Sequence, residues 1–176
     1  MTRRRMSFAL LSGAALAALP TAQAGPTPRP ARPLQFQAFG GGGSVSLEKL
    51  RGKAVLVMFF STDCPHCQQA ATRMGPIYEE LSEKNVQFLG LAMNPGAEQN
   101  LGSFVQKYSV KFPVGLATRQ DFAQFAEMSV MERFYYPYFL FVDPKGVVQE
   151  EQQGSNRQYF ENIEPSIQAS IAKLFD

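Results

Sequence analysis

Apolar runs along the chain predict a domain in which strands alternate with helices. Residues 54–60 (AVLVMFF) form a continuous apolar run, and 86–92 are predicted to be a second strand of this buried kind. A third run, 138–142, leads into Asp143-Pro144-Lys145-Gly146, which favours a type I turn and predicts an antiparallel partner strand over 147–152. The other predicted elements are helices over about 65–84, 101–108, 119–127 and 160–174, with bends at Pro76 and Pro165, and short extended segments at 36–39, 45–47 and 112–116. We therefore expect a mixed α/β sheet covered by helices on both faces.

The start of the chain differs from the rest. Residues 1–24 contain three arginines, then an apolar stretch of fourteen residues, then Ala-Gln-Ala, which together are typical of a signal peptide cleaved before Gly25. A helix of that apolar stretch would rise about 21 Å, short of the ~30 Å hydrocarbon core of a bilayer. Residues 25–33 include four prolines and are predicted to be an extended leader that packs little. We expect a periplasmic or secreted protein whose folded domain covers 34–176.

The charge and cysteine content exclude several classes of protein. The chain of 176 residues has 17 Lys+Arg and 15 Asp+Glu, and without the three arginines of the predicted signal peptide the balance is 14 − 15 = −1. No basic field is left to attract nucleic acid, so we expect no nucleic-acid partner. Two cysteines are too few for a disulfide scaffold. A single domain of this length can bury a core of its own, and we expect a monomer.

The two cysteines form the motif Cys64-Pro65-His66-Cys67, which follows the first buried strand and begins the first helix. Free N–H groups and the dipole at a helix N-terminus stabilise a thiolate, so Cys64 is predicted to be the nucleophile. Cys67, one helical turn later, is placed to attack the mixed disulfide and release the product. The dithiol carries two electrons by itself, so we expect no cofactor and no metal.

The Cys64–Cys67 motif could also serve a metal, haem, peroxidase or purely structural role, and the neighbouring residues exclude some of these roles. Haem attachment would need His where Gln68 stands, and a zinc site would need about four ligands although His66 is the only histidine. A peroxidatic cysteine would have Pro where Val57 stands. A permanently closed disulfide is a further possibility, although the close spacing favours a reactive pair. A dithiol that holds a soft metal such as Cu(I), in a copper or haem pathway, stays open as the alternative function.

These motifs resemble the thioredoxin superfamily. The strand 54–60, the Cys64–Cys67 motif, and the apolar strand that follows Pro137 and ends in Asp-Pro-Lys-Gly occur in the same order. The Gly52-Lys53 lead-in, Lys111-Phe112-Pro113 and the signal-like start are similar to the ResA/TlpA branch, which consists of exported thiol–disulfide oxidoreductases. The Pro-His pair between the cysteines resembles DsbA-type oxidases instead, so the direction of electron flow stays open.

The resemblance implies a thioredoxin fold with an αβ unit inserted before a cis-proline, and it implies that Cys64 and Cys67 form the redox-active disulfide. Pro137 matches the cis-proline that faces the cysteine pair, and the backbone of Tyr136 before it would pair with substrate. His66 is expected to add positive charge beside Cys64. Protein thiols and disulfides are the implied substrates, with a possible membrane redox partner.

Three positions depart from the family pattern. Met58 stands on the central strand where members usually carry Asp or Asn, so Glu79, Glu80 or water is expected to move the proton of the resolving cysteine. Asp63 replaces a bulky residue and should disfavour the neighbouring thiolate. Tyr136 is bulkier than usual, and its ring and the neighbouring aromatic residues either form a substrate platform or simply pack the strand.

Overall fold

The computed structural model describes residues 25–176, so the predicted signal peptide lies outside the described residues. The strands are β1 (Arg29–Pro30), β2 (Gln35–Gln37), β3 (Ser44–Ser46), β4 (Ala54–Phe60), β5 (Val86–Ala92), β6 (Val114–Leu116), β7 (Tyr138–Val142) and β8 (Val147–Gln153). The helices are α1 (Pro65–Leu81), α2 (Ala97–Lys107), α3 (Arg119–Ala126), α4 (Arg157–Glu161) and α5 (Ile163–Ala172), with short 3-10 turns at 39–41, 47–50, 82–84 and 173–175. None of the helices in this range is long and apolar enough to cross a membrane.

Six of the strands form one mixed sheet in the order β1-β8-β7-β4-β5-β6. Strand β4 is parallel to β5 and antiparallel to β7, so that Met58 lies between Gly90 and Phe139. Strand β6 adds to β5 in parallel, and the β7–β8 hairpin follows the predicted turn. The three buried strands and this hairpin confirm the pattern predicted from the apolar runs. The helix α2 and strand β6 form the αβ unit expected before the proline at 137.

The central strand divides the core into two layers. All seven residues of β4 are buried, and successive side chains point to opposite faces of the sheet. Leu56, Met58 and Phe60 join the cluster that contains α1, α2 and α5, whereas Val57 and Phe59 join the cluster that contains α3. Because β4 is covered on both faces, its carboxyl end places the start of α1 at one edge of a rigid sheet.

The closing helix differs from its prediction. We expected one helix bent at Pro165, but the helix breaks at Asn162 (φ −114°, ψ 44°) into α4 and α5. Pro165 lies in the first turn of α5, where an N–H group would have no intrahelical partner. In an unbroken helix the carbonyl of Glu161 would accept from the N–H of residue 165. Here it accepts a hydrogen bond from Arg73 at 3.4 Å instead. The helix α1 continues through Pro76 without ending there.

The proline-rich leader packs against the domain, so the prediction that it packs little is wrong. Arg29 and Pro30 pair with Val148 and Val147 and form the edge strand β1. The Arg29 side chain is only 6% exposed and forms an ion pair with Glu151. Strand β8 would otherwise present an unpaired edge, and proline is tolerated on an edge strand. The composition of the leader could not reveal this partner.

Candidate active site

Cys64 lies where the buried strand β4 gives way to helix α1. Its backbone is extended (φ −81°, ψ 118°) and it serves as the N-cap of α1, with Pro65 in the first helical position. The Cys64 Sγ accepts a hydrogen bond from the backbone N–H of Cys67 at 3.4 Å. Proline suits this position because its missing N–H group would have no intrahelical partner there. The fold therefore directs a half-buried sulfur at the free N–H groups of a helix start.

The two thiols have opposite acidities. The pKa of Cys64 is lowered to about 6, chiefly by a hydrogen bond from the Cys67 side chain, and burial opposes this effect. The backbone N–H groups of Cys67 and His66 also lower it, and the positive charge of His66 contributes least. Burial raises the pKa of Cys67 far above its usual range, and the Cys64 sulfur raises it further. Both cysteines are free thiols, so Cys64 is the one that ionises.

The loop before Cys64 is anchored by an asparagine that the sequence analysis missed. Asn94, just after β5, accepts a hydrogen bond from the Thr62 N–H at 2.9 Å and donates to the Asp63 carboxylate at 3.0 Å. Gln68 donates to the Thr62 carbonyl at 2.9 Å from the first turn of α1. The Asp63 carboxylate is thereby bound to the end of β5, and the pKa of Cys64 is lowered despite its presence. The signal that could have indicated Asn94 is its place at the carboxyl end of the strand beside β4.

The peptide bond between Tyr136 and Pro137 is cis, as the resemblance implies. Gly154, just after β8, lies directly behind it: a Cβ atom at 154 would be 2.0 Å from the Tyr136 carbonyl oxygen. The Gly154 N–H also donates to the carbonyl of Tyr135 at 3.1 Å. Only glycine fits this close approach of two backbones. The sequence analysis did not single out Gly154, because its need for a hydrogen side chain comes from a distant segment.

Tyr136 lies close to the cysteine pair. Its ring is half-buried against the core cluster that contains Cys67, and it meets Phe134 edge to face at 5.0 Å. Burial raises the pKa of Tyr136, and the charges of Cys67 and Cys64 raise it further. The structure therefore places Tyr136 and Pro137 near Cys64 and Cys67, and His66 lies exposed in the first turn of α1, close enough for its backbone N–H and its charge to act on Cys64.

The expectation that Glu79 or Glu80 replaces the missing acid is wrong. Met58 is 1% exposed and belongs to the same core cluster as Cys67. Glu79 and Glu80 are exposed at the far end of α1 and pair with lysines at 3.4 and 3.1 Å. Twelve residues of helix separate Cys67 from Glu79, which corresponds to about 18 Å. Neither carboxylate can reach the resolving thiol.

Between residues 25 and 176, no three or more His, Cys, Asp or Glu side chains come together in a way that could hold a metal ion.

The fold and the site define a class: a thioredoxin-fold domain whose two thiols of opposite acidity lie beside a cis-proline. The model of the AhpC/TSA family matches residues 30–151, and the chain belongs to that family. It is 28% identical over 112 residues to the thiol-disulfide oxidoreductase ResA of Oceanobacillus iheyensis, covering 64% of this chain and 55% of that protein.

Solved structures show the same fold. A thiol:disulfide interchange protein of the thioredoxin family from Chlorobium tepidum TLS superposes with a TM-score of 0.69 at 22% identity, covering 84% of this chain and 99% of that one. A secreted Mycobacterium tuberculosis disulfide oxidoreductase homologous to E. coli DsbE gives 0.62 at 18% identity, covering 77% and 95%. These likenesses confirm the thioredoxin fold that the sequence motifs implied.

The matches to the curated relatives are partial in length. The aligned stretch spans about half of the ResA proteins it matches, from 41% to 55% of their length. Similarity therefore establishes the family and the fold, whereas the activity, substrates and partners have to be inferred from the geometry of the site.

Proposed function

We propose that the chain is an exported thiol–disulfide oxidoreductase that exchanges disulfides with protein thiols through Cys64 and Cys67. The observation that carries this proposal is the asymmetry of the pair. Cys64 caps a helix, is half-buried and has a pKa lowered to about 6, whereas the buried Cys67 has a pKa raised by burial. Cys64 is therefore mostly a thiolate at neutral pH and can attack, whereas Cys67 remains a protonated thiol.

The proposed reaction has two exchange steps. The Cys64 thiolate attacks one sulfur of a substrate disulfide, so that a Cys64–substrate disulfide forms and the other substrate sulfur leaves as a thiolate. Cys67 then loses its proton and attacks the Cys64 sulfur, which releases the second substrate thiolate. The substrate gains two electrons and becomes a dithiol, while the protein dithiol becomes the Cys64–Cys67 disulfide. Each step is reversible, and in the reverse direction the protein oxidises its substrate.

Cis-Pro137 and Tyr136 are proposed to bind the substrate beside the cysteines. The carbonyls of Tyr135 and Tyr136 face Gly154, and Pro137 has no N–H group, so we assign the substrate contact to the Tyr136 side chain rather than to these carbonyls. The raised pKa of Tyr136, caused first by burial, keeps its phenol protonated and able to donate a hydrogen bond near the sulfurs. His66 contributes mainly through its backbone N–H.

The lowered pKa of Cys64 bears on the direction of exchange. The attacking thiol has a pKa of ~7 in thioredoxin, a reductant, and ~3.5 in DsbA, a strong oxidant. The value of about 6 for Cys64 lies nearer the former. The Pro65-His66 pair therefore does not by itself make this protein a DsbA-like oxidant. We propose that the reduction potential of a redox partner, which the family resemblance implies to be in the membrane, sets the direction of electron flow.

Export is the part of the proposal that depends on residues 1–24. The arginines, the apolar stretch and Ala-Gln-Ala before Gly25 support cleavage there, and one structural neighbour is described as secreted. The mature protein would then work in the periplasm or outside the cell, where disulfides persist. Intact-mass measurement of the exported form tests this: we expect a chain that begins at Gly25, and a chain that retains residues 1–24 would contradict it.

Trapping tests the exchange reaction. Cys67→Ser should leave Cys64 able to attack while removing the second step, so covalent complexes with substrate proteins should accumulate and dissolve on reduction. Cys64→Ser is the matched control and should trap none. Equal trapping by both variants would contradict the assigned roles. Tight copper binding by the reduced protein without disulfide exchange would instead favour the metal-binding alternative.

A further inference from the structure

A groove that begins at His66 of the active-site motif runs along one side of α1. It has a volume of about 430 Å³ and lies between α1, which contributes His66, Gln69 and Arg73, and the segment from Gly154 to α4. The α1 residues are three and four positions apart, so they lie on one face of the helix. Gly154, which also lines the groove, packs against the carbonyl of Tyr136. The groove therefore includes His66 of the active-site motif and Gly154, which packs against the Tyr136–Pro137 peptide.

The walls of this α1–α4 groove carry two arginines, Arg73 and Arg157, and one carboxylate, Glu161. Arg73 is held in place, because it lies 3.5 Å from the Glu164 carboxylate and donates to the Glu161 carbonyl at 3.4 Å. Arg157 is exposed, and its guanidinium forms no hydrogen bond or ion pair with any residue from 25 to 176. A planar guanidinium with all its donors free matches a carboxylate in two parallel hydrogen bonds.

The floor of the groove is apolar. The Phe160 ring is half-buried and packs edge to face on Phe139 of the core at 5.1 Å. A rigid aromatic floor between polar walls suits a peptide segment better than a small ion, because the backbone and β-carbons of the segment can lie on the ring. From His66 to Arg73 the helix rises about 10 Å, which is the length of about three extended residues.

We infer that the α1–α4 groove binds an extended segment of the substrate protein, and that Arg157 contacts an acidic side chain within about three residues of the substrate's reacting cysteine. This inference rests on the proposed function and adds a substrate class to it: disulfides flanked by Asp or Glu. Glu161 lies on the same groove and disfavours a second acidic side chain.

Exchange kinetics with matched peptides test the inference. Each peptide contains one disulfide and carries Glu, Gln or Lys at one of the three positions on either side of a half-cystine. At low ionic strength we expect the best Glu peptide to react about fivefold faster than its Lys counterpart, and 0.5 M NaCl to reduce the difference. Arg157→Glu should reverse the preference. Lys145→Glu makes the same charge change on an exposed residue at the other end of the β7–β8 hairpin and should leave the preference intact.

The outcomes separate the groove from the proposed function. Equal rates for all peptides, or an acidic preference that Arg157→Glu leaves unchanged, would overturn the groove assignment while exchange itself stands. No exchange with any peptide, nor with the small uncharged hydroxyethyl disulfide, would overturn the proposed function and the groove together. A circular dichroism spectrum and a melting temperature that match those of the unmodified protein show that Arg157→Glu folds.

Discussion

Cys64 should ionise with a midpoint near pH 6, and the donors around its sulfur should account for this in a definite order. A shift from the ordinary 9.0 to about 6 means that about 90% of the sulfur is thiolate at pH 7, against about 1% without the shift. At pH 7 only the one unit by which this pKa lies below the pH stabilises the reduced protein, which is about 1.4 kcal/mol; solvent screening of a half-buried sulfur makes this an upper limit. That gain corresponds to at most about 30 mV in the two-electron couple.

Three variants separate the contributions. Cys67→Ala removes the largest one, the side-chain hydrogen bond to Cys64, and should raise the pKa of Cys64 by about one unit. Cys67→Ser keeps a hydroxyl donor at the same place and should raise it less. His66→Leu removes only the smallest contribution, the side-chain charge, and should raise it by less than about half a unit, because the backbone N–H groups remain.

The assay is the pH dependence of iodoacetamide alkylation of the reduced protein, followed by mass spectrometry on the peptide that contains Cys64. Thiolate absorbance at 240 nm gives the same midpoint without alkylation. A midpoint above pH 8 in the unmodified protein would refute the role assigned to the helix start. A larger shift for His66→Leu than for Cys67→Ala would refute the order of contributions, and the imidazole would then control the thiolate.

Two further substitutions test how the site and the leader are held. Gly154→Ala places a Cβ 2.0 Å from the Tyr136 carbonyl oxygen and should destabilise the fold by about 2 kcal/mol and slow exchange, as thermal unfolding and peptide kinetics would show; an unchanged melting temperature would contradict the close approach. Arg29→Met leaves the Glu151 carboxylate without its buried partner and should cost about 3 kcal/mol at pH 8 in urea unfolding. Burial already raises the pKa of Glu151, so the loss of unfolding free energy should shrink toward pH 5 as this carboxylate takes up a proton in the folded state. Equal losses at both pH values would contradict this reasoning. Adding Glu151→Gln to Arg29→Met should recover part of the lost stability.

The elements that could be predicted from the sequence are those whose burial is decided locally. Strands 54–60 and 138–142 were predicted with the bounds that the structure gives, because a short continuous apolar run before a turn signal has few other solutions. The leader was misjudged because its partner, the free edge of β8, lies more than a hundred residues away. The sequence predicted a bend at Pro165, whereas the helix breaks at Asn162. Proline is a conspicuous helix breaker in a sequence, but the first turn of a helix tolerates proline.

The same distinction applies to the site. Cys64 and Cys67 could be assigned because motif, strand and helix are adjacent in sequence. Asn94 and Gly154 could not, since each is needed only where a second segment comes close to it. The order of the contributions to the acidity of Cys64 also needed the structure, because it depends on which hydrogens point at the sulfur.

Met58 cannot accept a proton, so the resolving step needs another way to deprotonate Cys67. A change within the cysteine pair makes this deprotonation easier. Three effects raise the pKa of Cys67: burial, which is the largest, and then the hydrogen bond and the negative charge of Cys64. Once Cys64 is joined to substrate, its sulfur carries no charge and no longer holds the Cys67 proton. Two of the three effects therefore weaken in the mixed disulfide, and the substrate thiolate released by the first attack is a base close to the site. The proton of Cys67 is thus held most tightly before substrate binds and less tightly once resolution requires its release.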